Sequence, residues 1–221
     1  MSAPSLPTLP SSSSLNAPAL VLGSTSPYRR ELLQRLGLPF SVQAPQVDET
    51  ALPGEAPAAL AARLATAKAR AAAVLWASHA AAPADAIVIG SDQVADLHGQ
   101  ALGKPGHHAG AVAQLQAMRG QTVLFQTAVC VLRPATGFER TVLCTVSVGV
   151  RDLSDEDIEA YLQREQPYDC AGSAKVEGLG ITLLRHVHAD DPTTLIGLPL
   201  IATTALLREA GLDPLRTPNA A

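Results

Sequence analysis

Short apolar runs ending at polar, glycine-bearing corners recur along this chain, and they set its predicted elements. Ala19-Leu-Val-Leu-Gly23 is apolar throughout and reads as a buried strand. It runs into Ser24-Thr-Ser-Pro-Tyr-Arg-Arg-Glu-Leu-Leu, where Ser26 suits an N-cap and Pro27 the first helical position. Leu32, Leu33 and Leu36 give that helix one apolar face, and Gly37 with Pro39 ends it. Phe40 to Gln43 predicts a second strand, followed by the loop Ala44-Pro-Gln-Val-Asp-Glu-Thr50. Pro57 to Ser78 is Ala-rich with Leu60, Leu64 and Leu75, a strong helix-forming stretch. Ala86-Ile-Val-Ile-Gly90 is another buried strand, leading straight into Ser91-Asp92-Gln93, and His98-Gly99 marks a hairpin turn.

The second half continues the alternation. Residues 107 to 119 predict a helix stopped by Gly120. Thr122 to Leu132 and Thr141 to Arg151 are β-rich and joined through Pro134-Ala-Thr-Gly137, which predicts a long antiparallel pair. Ser154-Asp-Glu-Asp opens a helix with acids in its first turn, where they favour the dipole, and Pro167 ends it. Ile181 to Val187 reads as a strand, and Pro199 to Ala210 as a last helix closed by Gly211. The sum is a mixed α/β protein with no internal repeat or long linker, and with room for a second lobe around residues 120 to 190.

Composition narrows this further. With 221 residues and 47% hydrophobic content, the chain can bury one large core or two small ones. Aromatics are only 3%, so Ala, Val, Leu and Ile must build it. A net charge of −4 disfavours nucleic acid or a membrane surface as partner, because both are polyanions. No apolar run approaches the roughly 18 residues of a membrane span. Cys130, Cys144 and Cys170 are odd in number and lack CxxC spacing, which fits a reducing compartment, the cytoplasm. Met1 to Pro18 is rich in Ser and Pro and lacks a basic region followed by an apolar block, so it is no secretory signal. It is expected to be a disordered extension (residues 1–18), leaving one domain over 19–213 and a loose tail over 214–221.

Three polar clusters interrupt the apolar segments. In Ser24-Thr-Ser-Pro-Tyr-Arg-Arg, helix-start N–H groups, the hydroxyls of Ser24 and Ser26, and Arg29 with Arg30 would make a phosphate cradle; an ordinary capped helix with surface arginines is the plainer alternative. Asp48-Glu49, Lys68, Ser91-Asp92-Gln93 and Lys104 form a dispersed acid–lysine set. Asp92 follows a fully apolar strand, a place where carboxylates serve function in α/β proteins, although a capping Asp with solvated lysines fits the spacing equally. In Cys170-Ala-Gly-Ser-Ala-Lys-Val-Glu-Gly-Leu-Gly180 the glycines would admit a ligand close to the backbone near Lys175 and Glu177, or simply turn the chain into the next strand. His107-His108 and His186/His188 lack a clear third metal ligand and read as surface residues.

The order of these pieces is more specific than any one of them. Ser-x-Ser-Pro-x-Arg-Arg-x-Leu-Leu, Val-Asp-Glu-Thr, a Lys on the Ala-rich helix, Gly-Ser-Asp-Gln-Val, Leu-Gly-Lys-Pro and a closing Leu-Ile-Gly-Leu-Pro-Leu follow one another over residues 19 to 211. That ordered set resembles the Maf family of nucleotide pyrophosphatases, and within it the branch acting on 7-methyl-GTP. The resemblance implies an α/β fold, a mixed twisted sheet with flanking helices and two lobes around an active-site cleft. It implies hydrolysis of a nucleoside triphosphate to monophosphate and pyrophosphate, with a divalent metal, Mg²⁺ or Mn²⁺, and a small-molecule nucleotide as substrate, with no nucleic-acid or membrane partner; a homodimer stays open. Asp92, Glu49 and Lys104 are the implied catalytic residues, with Asp92 as general base and Glu49 as metal ligand or partner base; both acids are candidate metal ligands, and the sequence leaves the division of labour between them open. Ser24, Arg29 and Lys68 are the implied phosphate contacts. Tyr28, Gln93 and Glu177 are the implied specificity positions. The dTTP/UTP branch typically carries Arg and Gln at the places of Tyr28 and Glu177; Cys170-Ala-Gly-Ser and Asp190-Asp-Pro-Thr-Thr-Leu-Ile-Gly also look like the 7-methyl-GTP branch. Tyr28 itself departs from the Trp expected there, though both are aromatic. The alternatives are a dTTP/UTP or broad-specificity pyrophosphatase, and a non-catalytic nucleotide-binding regulator of cell division.

Overall fold

The computed structural model describes residues 18–216. The predicted extension over 1–18, apart from Pro18, and most of the predicted tail over 214–221 therefore lie outside the described residues. The elements run β1 (Ala19–Gly23), α1 (Pro27–Gln34), β2 (Ser41–Gln43), α2 (Pro57–Ala77), β3 (Ala86–Leu97), β4 (Gln100–Leu102), α3 (His108–Met118), β5 (Thr122–Arg133), β6 (Phe138–Val150), α4 (Asp155–Glu165), β7 (Leu184–His188) and α5 (Leu200–Glu209). Local chemistry sets most boundaries. Ser26 caps α1 by accepting from the Arg29 N–H, with Pro27 at its first position. Ser154 and Asp157 form a reciprocal capping box on α4. His98 and Gly99, both left-handed, make the tight turn from β3 to β4.

The described strands form one seven-stranded mixed sheet in the order β2-β1-β3-β5-β6-β7, with β4 added beside β3. β1 is parallel to β2 and β3, and the remaining pairs are antiparallel. β3 is the axis of the molecule. Its first half pairs with β1 up to Gly23↔Gly90, and its far end pairs with β4 from Ala95↔Leu102. Between those two ladders, residues 91 to 94 have no neighbour on that edge, while β5 continues unbroken along the other. The sheet splits there.

Three differences from the sequence expectation matter. Asp92 is not at a strand exit: β3 runs on for twelve residues and Asp92 sits in its middle, because β5 holds the backbone across the polar triplet. β6 begins at Phe138 rather than near Thr141, since left-handed Gly137 closes the turn tightly enough for Arg133 to pair at once with Phe138. β7 begins at Leu184 rather than Ile181, because residues 179–183 are wound into a 3-10 turn whose Leu179 N–H is taken by Glu165 Oε2 at 2.8 Å.

Side chains alternate along β3 and divide the cores. Ile87 and Ile89 join Leu32 and Leu33 of α1 and Leu206 and Leu207 of α5. On the other face Val94 packs with Leu60, Ala61 and Leu64 of α2, and Val88 with Ala72. Beyond the split, Ala95, Phe125, Val146 and Val148 pack on Leu115 of α3 and Ile158 and Leu162 of α4. This is the second lobe; it draws in Ala95, Ala111 and Leu115, so it starts earlier in the chain than residue 120.

α2 lies unusually close to the sheet. A Cβ on Gly90 would sit 2.3 Å from Ala65 O and 2.4 Å from Ala69 N, and one on Gly23 would sit 2.7 Å from Ala72 Cβ. Glycine on the strands and alanine on the helix let the two backbones meet. That approach brings Lys68, between Ala65 and Ala69 on α2, over the middle of β3.

Candidate active site

A cleft of about 610 Å³ opens where the sheet splits. Ser24 leaves the end of β1 on one side, Gly103 and Lys104 leave β4 on the other, and Asp92 and Gln93 form the floor. A ligand crevice at the carboxyl end of a parallel strand, where neighbours diverge, is a recurrent α/β solution. The nine residues to which the family resemblance gave a role all line it: Ser24, Tyr28, Arg29, Glu49, Lys68, Asp92, Gln93, Lys104 and Glu177. Arg30 does not; it points to solvent from the outer side of α1. Lys175 is paired with Glu165 at 2.9 Å instead of lining the cleft.

At the centre, Lys68 Nζ lies 2.6 Å from both Asp92 Oδ1 and Glu49 Oε1. Lys68 and Asp92 keep only about a tenth of their side-chain surface, whereas Glu49, on the loop before α2, keeps 55%. The hydrogen bond from Lys68 holds the Glu49 carboxyl below the usual carboxylate range. Asp92 Oδ2 accepts no hydrogen bond among the described residues, so one oxygen of this nearly buried carboxylate faces the cleft unspent. Arg29 donates through Nε to the Gly197 carbonyl at 2.9 Å, and its Nη1 lies 3.5 Å from Ser24 Oγ. Desolvation pulls the Arg29 pKa down, and Asp92 and Glu49 oppose this. Arg29, Lys68 and Lys104 gather with Asp92 and Glu49, three cations with two carboxylates, while the other two lining carboxylates are Asp169 and Glu177; the three cations offer a seat for a polyanion.

The far end of the cleft is different. Tyr28, Asp169, Cys170, Ala171, Ala174 and Glu177 line a space whose charged groups are acids. Partial burial raises the Tyr28 hydroxyl, and it pushes the Cys170 thiol up to about 11, so that thiol stays protonated. Removal from water also raises the Glu177 carboxyl above its ordinary range. Gln93 is anchored: its Nε2 donates to Thr127 Oγ1 at 2.9 Å and to the carbonyls of Thr194 and Leu195 at 3.0 and 3.1 Å. Two carbonyl partners fix which end of the amide is NH₂, and its Oε1 is left as an acceptor.

Sequence reasoning passed over the turn at residues 191–197 as part of the site. Asp191 Oδ1 accepts the Thr193 N–H at 2.8 Å, and Oδ2 accepts Ile201 N–H of α5 at 2.7 Å. The turn then presents the carbonyls of Thr194, Leu195 and Gly197 to Gln93, Ser91 and Arg29. Its signal in the sequence was Asp190-Asp-Pro-Thr-Thr-Leu-Ile-Gly, which marks a turn without revealing what its carbonyls meet. Among the described residues no three His, Cys, Asp or Glu side chains cluster as a metal cage, and His107 serves as the N-cap of α3.

A sequence profile of the family described as Maf-like protein matches residues 19–210. The chain belongs to the Maf family. Among curated Maf-family relatives, a protein of Polaromonas sp. named 7-methyl-GTP pyrophosphatase is 63% identical over 193 residues, covering 87% of this chain and 85% of its own. Proteins of the same name from Albidiferax ferrireducens and Cupriavidus metallidurans are 60% and 58% identical, covering 89% and 90% of this chain and 95% and 96% of theirs. The mixed open sheet with flanking helices agrees with the Maf fold expected from the sequence.

Proposed function

We infer that this Maf-family chain is a nucleoside triphosphate pyrophosphatase whose substrate is 7-methyl-GTP. The observation that carries the chemistry is Lys68 bridging Asp92 and Glu49 at 2.6 Å each, in a cleft that Arg29 and Lys104 also line. The names of its close relatives point to the same reaction and base. Water attacks the α-phosphorus, the bond to the bridging oxygen of the β-phosphate breaks, and pyrophosphate leaves. Asp92 Oδ2 takes the proton of the attacking water; the bond from Lys68 to Oδ1 holds the carboxylate in place. Arg29, Lys68, Lys104 and Ser24 hold phosphate oxygens, and positioned cations supply most of the barrier reduction in such transfers. Glu49 and Asp92 would hold Mg²⁺ or Mn²⁺ together with triphosphate oxygens, a hard oxygen set, and such an ion would neutralise phosphate charge.

The base end supports the specificity. N7-methylated guanine is cationic, and the face of Tyr28 attracts a cation by about 0.5–2 kcal/mol, roughly two- to thirty-fold. Glu177 accepts the N1–H and N2–H₂ edge, and the charge on the base strengthens those bonds. A pyrimidine lacks that donor pair and would leave the carboxylate unpaired. We take residues 19–213 as the catalytic unit, a reading supported by a cleft that draws residues from Ser24 to Gly197. It works in the cytoplasm, a reading supported by three free cysteines; no helix among the described residues is long and apolar enough to cross a membrane. The test is kcat/KM for 7-methyl-GTP, GTP, dTTP and UTP on wild type and Tyr28→Ala. 7-methyl-GTP should lead, and its margin over GTP should shrink in the variant. A best turnover of dTTP or UTP would overturn the base assignment.

A further inference from the structure

Ser91 is wholly buried and touches no substrate in the reaction above. Its hydroxyl donates to the Gly197 carbonyl at 3.0 Å, the same oxygen that accepts Arg29 Nε at 2.9 Å. We propose that Ser91 is a positioning residue, which aims the Arg29 guanidinium at the phosphates through the Gly197 carbonyl. The inference rests on Arg29 being a phosphate contact.

A guanidinium is a planar fork, so holding its Nε–H on the Gly197 carbonyl, with Nη1 3.5 Å from Ser24 Oγ, sets the plane in which the other N–H groups point. One carbonyl oxygen has two acceptor sites, enough for both donors. The oxygen must itself be held, and it is. Gly197 has φ +124°, a region closed to other residues, and its N–H bonds back to Thr194 O at 3.0 Å. Asp191 ties the turn to α5, and Gln93 Nε2 grips the Thr194 and Leu195 carbonyls. Ser91 and Gln93 are two apart on β3 and face the turn together, while Asp92 between them faces Lys68. One strand segment thus sets the base and the arginine from opposite faces.

The test is a double-mutant cycle on kcat/KM for 7-methyl-GTP, with wild type, Ser91→Ala, Arg29→Ala and the double variant. Ser91→Ala should lower kcat/KM by about three- to thirty-fold, the range for losing one buried hydrogen bond and some aim. Added to Arg29→Ala, it should change kcat/KM by less than about twofold. A residue that only supports the core would carry its full loss into that background. Ser91→Cys keeps volume with a weaker donor; it should fall between wild type and Ser91→Ala, and it replaces Ser91→Ala in the cycle should the alanine variant not fold. Wild-type kcat/KM in folded Ser91→Ala, or an undiminished loss on top of Arg29→Ala, would overturn the positioning role alone. Wild-type kcat/KM in Arg29→Ala would instead overturn the phosphate assignment beneath it.

Discussion

Gly90→Ala tests whether the close seat of α2 on β3 builds the active site. The new methyl would lie 2.3 Å from Ala65 O, 2.4 Å from Ala69 N and 2.8 Å from Ala69 Cβ. Two of these are backbone atoms and cannot rotate away. Ordinary contact begins near 3.4 Å, so α2 must retreat by about 1 Å. Lys68 lies between the two residues struck and moves with them. Its 2.6 Å bond to Asp92 would stretch toward the roughly 3.5 Å at which hydrogen bonding is lost. Overpacking of this kind costs about 1–3 kcal/mol, or roughly 2–4 °C in Tm for each kcal/mol in a domain of this size. A misplacement of about 1 Å in a catalytic constellation costs up to about a hundredfold, and the flexible lysine will recover part of that. We expect kcat/KM to fall about ten- to hundred-fold, read by pyrophosphate release alongside a melting curve. Adding Ala69→Gly relieves only the Cβ contact and should rescue little. Wild-type Tm and kcat/KM in Gly90→Ala would show that the helix seat is slack and does not position Lys68.

Asp92→Asn keeps shape but removes the proton acceptor, so kcat should drop about 10²–10⁴-fold with nucleotide binding retained; near-normal turnover would remove Asp92 as the base. Chelation with EDTA should abolish turnover and added Mg²⁺ or Mn²⁺ restore it, whereas full activity in thoroughly chelated buffer would take the metal out of the reaction. Glu177 must be ionised to accept the guanine edge, and its pKa is raised by desolvation, with Glu31 and Glu165 adding to this and Lys175 opposing it. The preference for 7-methyl-GTP over GTP should therefore decay as pH falls through that raised pKa, beginning above the ordinary glutamate value of about 4.3. In Glu177→Gln the preference should be weaker and flat over the same window; matching pH profiles for the two proteins would exclude Glu177 as the titrating group.

Much of the architecture was legible in the chain itself, because the determining forces are local. Ser26-Pro27, Ser154 with Asp157, and His98-Gly99 encode their caps and turn within four residues, and the structure uses each as read. The all-apolar runs at residues 19–23 and 86–90 could only be buried strands. The nine side chains that the ordered motifs pointed to all line one cleft. What they are to one another was beyond the sequence. Gly-Ser-Asp-Gln reads as a single polar exit from a strand, yet pairing with β5 keeps it extended, and the alternation of a strand sends Asp92 to Lys68 and Ser91 with Gln93 to the turn at 191–197. The cleft opens at residues 91–94 because β1 ends and β4 has not begun, a fact of sheet topology spread over eighty residues. The approach of α2, and with it the 2.6 Å contacts of Lys68, depends on glycines 23 and 90 meeting alanines on another element. Periodicity reports which residues are buried, but only the packed chain decides which backbones come close enough to touch.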